Sequence, residues 1–569
     1  MLSHLCTRFF LAFFVSSSVL ALGSRKPASL SCPKVQITSS LDPPLSAAEL
    51  RWICGDPESA AYKDVPLYQA AFHLRSFLDR RGYTGADLKI RDGVLVVDPG
   101  KPVRLEKIDI APSDDRLLKV ANRYLRQILR PSLLNILESS LQRRLLETGY
   151  SCAVVSSTAR DNTVNLRVER GPLRDFSGLR ADAIAGLKPE ALIRFQPFEA
   201  TTIYDIRLLE LYEKRLARDN VVQGTYFKEN CKVAGSPIEQ SFLLGPPRTL
   251  RFGVGVDTEN GPLLQTSWRH HRFSDMAAQA SFTLQASLVQ QSLTSRAEYF
   301  PWASRPRLSI SPELNLVHER RDKVTQISNT IEALTTKTWE VASAKWSLGA
   351  GPAFVSTWFR TDAEPHFIQE SSLSLRARAE VRSYSYEIFD AHPQAGLLIG
   401  LSTEYRDPAL GFPDQTLKIS GDGRFIQPLG YCGKGRCIAA LRVSRSQTWT
   451  TSENLEGLPP SLKTYLGGFE SLRGFKPLAA PDNKGNGGLS SVSSGTELRG
   501  VDILVSNWEP YVFFDIGAVS SDIGDVEKEV LHASGLGLRW TSPIGLVQAY
   551  LAKPSLGSFY FYAAFGGEF

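Results

Sequence analysis

From Leu250 to the C-terminus, apolar and polar residues alternate in segment after segment. Leu250, Phe252, Val254 and Val256 share one face of an extended stretch, with Arg251, Gly253, Gly255 and Asp257 on the other. The segment 373–381 repeats the pattern with Arg376, Arg378 and Glu380 on its polar face, and Leu397, Ile399 and Leu401 face one way in the next. A period of two marks strands. Charges at every second position opposite unbroken aliphatics suit a wall between a wet lumen and lipid. A water-soluble sandwich, which buries one face and exposes the other, alternates in a similar way. Beyond residue 22 no apolar run approaches the ~20 residues a membrane-spanning helix needs. A membrane crossing would therefore be made by strands, and in lipid only a closed barrel satisfies their backbone groups. Residues 248–569, about 320 in all, accommodate roughly 16 antiparallel strands at ~20 residues per strand and connection.

The N-terminal half reads differently. Arg8 precedes an apolar run from Phe9 to Leu22 that is short of a span, so residues 1–23 are expected to be a secretory signal peptide cut after Ala21 or Gly23. Three mixed α/β units follow, at 33–100, 101–171 and 172–247. The second is the clearest: a strand over 104–110, helices over 114–128 and 132–146, then a hairpin of 152–157 with 163–169. In the first, helical periodicity over 45–54 and 66–81 precedes a hairpin turned at Asp92-Gly93. In the third, a helix over 204–218 precedes strands near 225–233 and 240–244.

With Cys6 lost in the signal peptide, six cysteines remain, an even number that suggests disulfides in an exported chain. Cys432 and Cys437 bracket a hairpin tip, and Cys32 with Cys54 fits within one small unit. Cys152 with Cys231 completes the set. Zinc is the alternative, but no two pairs have structural-site spacing and nearby histidines are lacking, so no metal is expected.

Two stretches carry more specific information. The longest connection in the C-terminal half, about 451–488, contains Leu466-Gly-Gly-Phe-Glu-Ser-Leu-Arg-Gly-Phe475, with Arg473, Gly474 and Phe475 at its end. Downstream, Glu497 and Asp515 occupy strand positions that would face a barrel lumen. A loop folded inward could bring Arg473 to both carboxylates as a hydrogen-bonded ion pair. The last strand places Phe559, Phe561, Ala563, Phe565, Gly567 and Phe569 on one face and ends the chain on the aromatic residue.

On these residues the chain resembles the outer-membrane assembly superfamily that includes BamA, TamA and the two-partner secretion transporters, and within it the TamA branch. The resemblance implies a membrane β-barrel preceded by three polypeptide-transport-associated (POTRA) modules, in the outer membrane with the modules in the periplasm. It also implies an inward Arg-Gly-Phe loop contacting acidic residues of the wall. The seam between first and last strands would be a lateral gate, with Gly253, Gly255, Gly566 and Gly567 loosening its packing and Phe565 and Phe569 on the terminal strand. The implied function is integration or translocation of β-barrel and autotransporter clients. The implied partners are those clients, outer-membrane lipid and a large, TamB-like inner-membrane protein spanning the periplasm.

Catalytic groupings are missing from the sequence: it holds no Gly-x-Ser-x-Gly elbow, His-Glu-x-x-His or phosphate-binding Gly-rich loop, and the adjacent His270 and His271 would face opposite sides of a strand. Neither an enzyme activity nor a cofactor is expected. A net charge of +6 spread over 569 residues gives no basic patch for nucleic acid. The alternatives are a two-partner secretion transporter, which exports a soluble partner, and a passive porin. Three modules rather than two favour assembly, and a porin explains neither the modules nor the loop.

Overall fold

The computed structural model describes residues 32, 34–56, 63–184, 186–233, 236–321, 324–341, 344–361, 366–383, 393–452, 457–479, 487–520, 530–543 and 545–566. The expected signal peptide lies outside the described residues. The chain forms two compact units divided between Leu173 and Arg174.

The first unit holds two α/β modules built alike. In the first, the sheet runs in the order Val35–Ile37, Val94–Asp98, Asp87–Arg91; the outer pair of neighbours is parallel, the hairpin pair antiparallel. Helices Ala47–Cys54 and Leu67–Arg80 cover it. Ser46 and Glu49 form a capping box that fixes the start of the first helix. Leu74, Leu78, Leu95 and Val97 are fully buried between the layers, and Cys32 is bridged to Cys54. The second module repeats the order with Lys107–Ala111, Thr163–Glu169 and Val154–Arg160. Its long helix, Pro131–Leu146, buries Leu133, Leu137, Leu141 and Leu145, a stripe at a spacing of four.

One expected helix is shorter than its periodicity suggests. Asp115–Ala121 gives way to a 3-10 turn at Asn122–Tyr124 instead of continuing to residue 128. Arg126 takes a left-handed φ of 67°, and its N–H donates to Leu105 O at 2.7 Å while Leu105 N–H donates to Gln127 O at 2.9 Å. Pairing with the chain before the first strand takes the backbone groups a further helical turn would use.

The second unit comprises a third module and the barrel. The sheet Leu179–Ala181, Ile238–Leu243, Gly224–Glu229 has the same order as the other two. The helix Ile206–Arg218 lies against it, and the module is seated on the barrel's connections. Arg194 donates to Met276 O and Ala277 O at 2.7 and 3.0 Å and stacks over Phe300 at 3.9 Å. Burial lowers its pKa to about 10, still charged at neutral pH. Glu340 binds Arg215 at 2.6 Å and Arg218 at 2.5 Å, and Asp219 binds Lys345 at 3.2 Å.

Burial by itself would raise the pKa of Asp219, but Lys345 and Arg218 outweigh it and hold the carboxyl at about 2, below its ordinary 3.8. A depressed folded-state pKa gives stability that is complete above the unfolded value and lost as pH falls through the folded one. The seating of this module should therefore weaken between about pH 4 and 2, by at most about 2 kcal/mol from this group. Hydrogen exchange in residues 215–221 should rise over that window, and Asp219→Asn should show the loosened exchange already at neutral pH.

Sixteen strands, from Arg248–Asp257 to Tyr560–Phe565, pair in sequence order and close into a barrel, every neighbour antiparallel. No described helix is long and apolar enough to cross a membrane. The apolar faces point outward: Leu250, Phe252, Val254, Leu373, Leu375, Ile399, Leu401, Phe559 and Phe561 are all exposed, as a lipid-facing wall requires. The polar faces line the lumen with ion pairs, Arg376 bridging Glu332 and Glu404 at 3.0 Å each. The hairpin of Thr416–Cys432 with Gly435–Thr450 is closed by a Cys432–Cys437 disulfide.

Candidate functional site

The connection between the strands Gly435–Thr450 and Ser490–Val501 folds into the barrel. Lys418 Nζ donates to Ser461 O and Lys463 O at 2.7 and 3.0 Å, and Thr448 Oγ1 to Leu462 O at 2.7 Å, holding the loop's first part to the wall. Farther in, Gly468 N–H donates to Phe475 O at 2.9 Å and Ser471 Oγ to Gly467 O at 2.8 Å, forming a compact arch. Leu466 and Leu472 are buried with Val519, and Phe475 packs against them.

The arch places Arg473, 2% exposed, between the two strand carboxylates. Its Nε and Nη2 donate to the two oxygens of Asp515 at 2.8 and 2.7 Å, its backbone N–H donates to Oδ2 at 3.0 Å, and its Nη1 donates to Glu497 Oε1. The guanidinium lies 3.9 Å from the Phe513 ring centroid. This is a bidentate arginine–carboxylate pair capped by an aromatic face, and in a desolvated site such pairing is strongly geometry-dependent.

Further groups complete the network. Arg442 donates to Phe469 O at 3.2 Å, Ser471 O at 3.1 Å and Asp515 Oδ2 at 3.4 Å, tying the loop backbone to the wall. Arg499 pairs with Glu497 at 2.7 Å, and Arg539 with Glu509 at 2.9 Å while stacking 4.2 Å from Tyr511. Sequence reasoning did not single out these residues. Arg499 lies two positions from Glu497, and Tyr511 and Phe513 precede Asp515 at even spacing, so same-face alternation could have found them. Arg442 is brought in only by register, opposite Gly495.

Small residues make the space. A Cβ on Gly495 would stand 2.5 Å from Asp515 Oδ1, and Gly535 and Gly537 lie opposite the rings of Phe513 and Tyr511. Gly474 has a φ of 91°, and a Cβ there would stand 3.0 Å from Ala533 Cβ. Gly474→Ala should thus destabilise the seated loop by about 1–3 kcal/mol. Faster proteolysis of the loop in the folded protein would report this, and unchanged cleavage would contradict it.

The second feature is the seam. The first strand pairs with its sequence neighbour at ten positions but with the last strand at two, Val256↔Phe565 and Asp257↔Ala564, extended by Thr258 N–H to Ala563 O at 3.0 Å. Among the described residues, 248–255 have no strand partner on that edge. Gly567 and Phe569 lie outside the described residues. Gly253 sits beyond the two pairs, opposite Gln265. At Gly255 and Gly566 the backbones of the two strands come close together. A Cβ on Gly255 would stand 2.7 Å from Phe565 O, and one on Gly566, whose φ is 92°, 2.5 Å from Val254 O. Without side chains, the two glycines let the last strand approach the first closely at this point.

A cavity of about 740 Å³ lies beside the loop, lined by Glu259, Gln265, Gln285, Arg424, Arg442 and Glu497 among others.

These features define a class of protein: a transmembrane barrel with a connection pinned inside its lumen and a first and last strand meeting over a short seam. Residues 246–557 match the Omp85 superfamily domain, and the chain belongs to that superfamily of outer-membrane barrels. Its fold is similar to that in the crystal structure of BamA from Haemophilus ducreyi lacking POTRA domains 1-3, at a TM-score of 0.59 and 17% identity, covering 82% of this chain and 99% of that one. CdiB from Acinetobacter baumannii aligns at a TM-score of 0.48 and 14% identity (82% and 89% covered), and CdiB from Escherichia coli at 0.49 and 13% (87% and 95%).

Proposed function

We propose that this protein is an outer-membrane assembly factor of the TamA type, which integrates β-barrel or autotransporter clients by opening laterally at the seam. The observation that carries the reading is the two-pair closure. Among the described residues, 248–255 have no strand partner on that edge, and an edge of unpaired N–H and C=O groups is a template on which a client strand can add by backbone hydrogen bonding. The Arg473 network holds the loop in the lumen beside the seam, and no chemical step is needed. The three modules would stand in the periplasm, where their own sheet edges can present clients and meet a large TamB-like partner. Reconstitution into lipid vesicles tests this directly. Membrane-integrated client should accumulate with the protein present; translocation of a soluble partner into the vesicle interior, without integration, would instead assign a two-partner secretion role.

A further inference from the structure

The seam and the loop are usually separate concerns in a barrel, since one is a strand junction and the other a lumen plug. Here one carboxylate touches both. Glu259 sits in the three-residue turn between the first strand and Gly261–His270. Its Oε2 accepts from Phe469 N–H of the inward arch, and its Oε1 from the Tyr560 hydroxyl of the last strand, each at 3.2 Å. These partners lie 210 and 301 residues away in sequence. The turn itself is stiff. Asp257 Oδ1 accepts from the N–H groups of Glu259 and Asn260 at 2.7 and 2.6 Å, and Asn260 Oδ1 accepts from Arg321 at 3.3 Å. Gly468 lies against the same carboxylate, where a Cβ would stand 3.1 Å from Oε2.

A second path runs beside the first. The Phe469 ring stacks on Tyr562 of the last strand at 5.1 Å and 12°. Tyr562 stacks on Tyr550 at 5.0 Å, and Tyr550 meets Phe513 edge-on at 5.4 Å. Phe513 is the ring that caps Arg473. The arch therefore contacts the first strand's turn and the last strand from inside, across a junction with two strand pairs among the described residues.

We propose that Glu259 is the positioning residue that couples the inward loop to the seam, so that seating of Arg473 holds the first and last strands together and its release frees the edge. This rests on the reading of the seam as a gate and names what controls it. Contiguous contacts of this kind carry coupling only if both ends respond to one change, which the following experiment decides.

Hydrogen exchange is measured on the full chain in lipid nanodiscs without client, following residues 466–475 of the loop and 560–565 of the last strand. Glu259→Ala removes both acceptors and should speed exchange about tenfold in both segments, the size of one or two lost hydrogen bonds. Glu259→Gln should stay within about twofold of the parent protein. Its amide oxygen still accepts from Phe469 N–H and its NH₂ can donate to the Tyr560 oxygen. Combining Glu259→Ala with Arg473→Lys should give no more opening at the seam than Glu259→Ala alone, because both changes cut one connection. For Glu259→Ala, faster exchange in only one of the two segments, or seam effects that multiply in the double variant, would overturn the coupling. If Glu259→Ala does not reach the folded barrel, Tyr560→Phe serves: it should loosen 560–565 while 466–475 stays protected, and no change in 560–565 counts against the link. Coupling is read without client and integration in the separate vesicle assay, so lost coupling with normal client integration refutes only this link, whereas intact coupling with no integration refutes the assembly reading.

Discussion

Arg473→Glu should expel the loop from the barrel and abolish assembly activity. The substitution removes four hydrogen bonds to Asp515 and Glu497, counting that of the backbone N–H displaced with the arch, and puts a third carboxylate where two already converge. Removing one partner from a buried ion pair costs about 3–5 kcal/mol because the remaining charge is left without compensation. Arg442, Arg499 and Arg539 stay close to the two acids, so Arg473→Met should fall at the lower end of that range, while like-charge repulsion takes Arg473→Glu to the upper end or past it. Protease cleavage within 466–478 is the measurement, run beside client integration in vesicles. Lost integration with the loop as protected as in the parent protein would separate Arg473 from any pinning role.

A disulfide across the seam should have a comparably large effect and a reversible one. Val256 and Phe565 are directly opposed in an antiparallel pair, and opposed residues there have Cα atoms about 4.5–5.5 Å apart, inside the range a disulfide spans. Val256→Cys with Phe565→Cys should cross-link on oxidation, with integration falling at least about tenfold, and recover on reduction. A cross-linked barrel that integrates clients at the parent rate would move the site of action away from the seam and end the lateral-opening reading. The single-cysteine variants should behave as the parent protein under both conditions, since each replaces a side chain on the lipid-facing wall without altering the strand pairing.

Much of the fold could be read from residue order. Alternation such as that of Leu250 to Asp257 specifies a strand and divides its side chains into two faces; closure into a barrel then makes the apolar face the lipid side and the polar face the lumen side. The helix Pro131–Leu146 was legible for the same reason at a different period. The 3-10 ending at Asn122–Tyr124 was not, because the competing backbone partners come from Leu105, outside the helix. At the site, Arg473, Glu497 and Asp515 stood out as charges in glycine- and aromatic-rich surroundings. Arg442 and Glu259 did not: Arg442 meets the site only through strand register, opposite Gly495, and Glu259 lies 210 residues from Phe469.

What the sequence determined by itself is local and periodic: strands in place of helices, the count of about sixteen, the three α/β units and the two faces of each strand. Period and turn chemistry act over a few residues, so they survive without knowledge of neighbours. Only the tertiary structure decided where the first and last strands meet, with two pairs at the junction among the described residues, and that one turn carboxylate reaches both loop and last strand. Those outcomes depend on register accumulated around all sixteen strands and on how deeply the loop enters. Both are sums over the whole closed sheet, which no single stretch encodes.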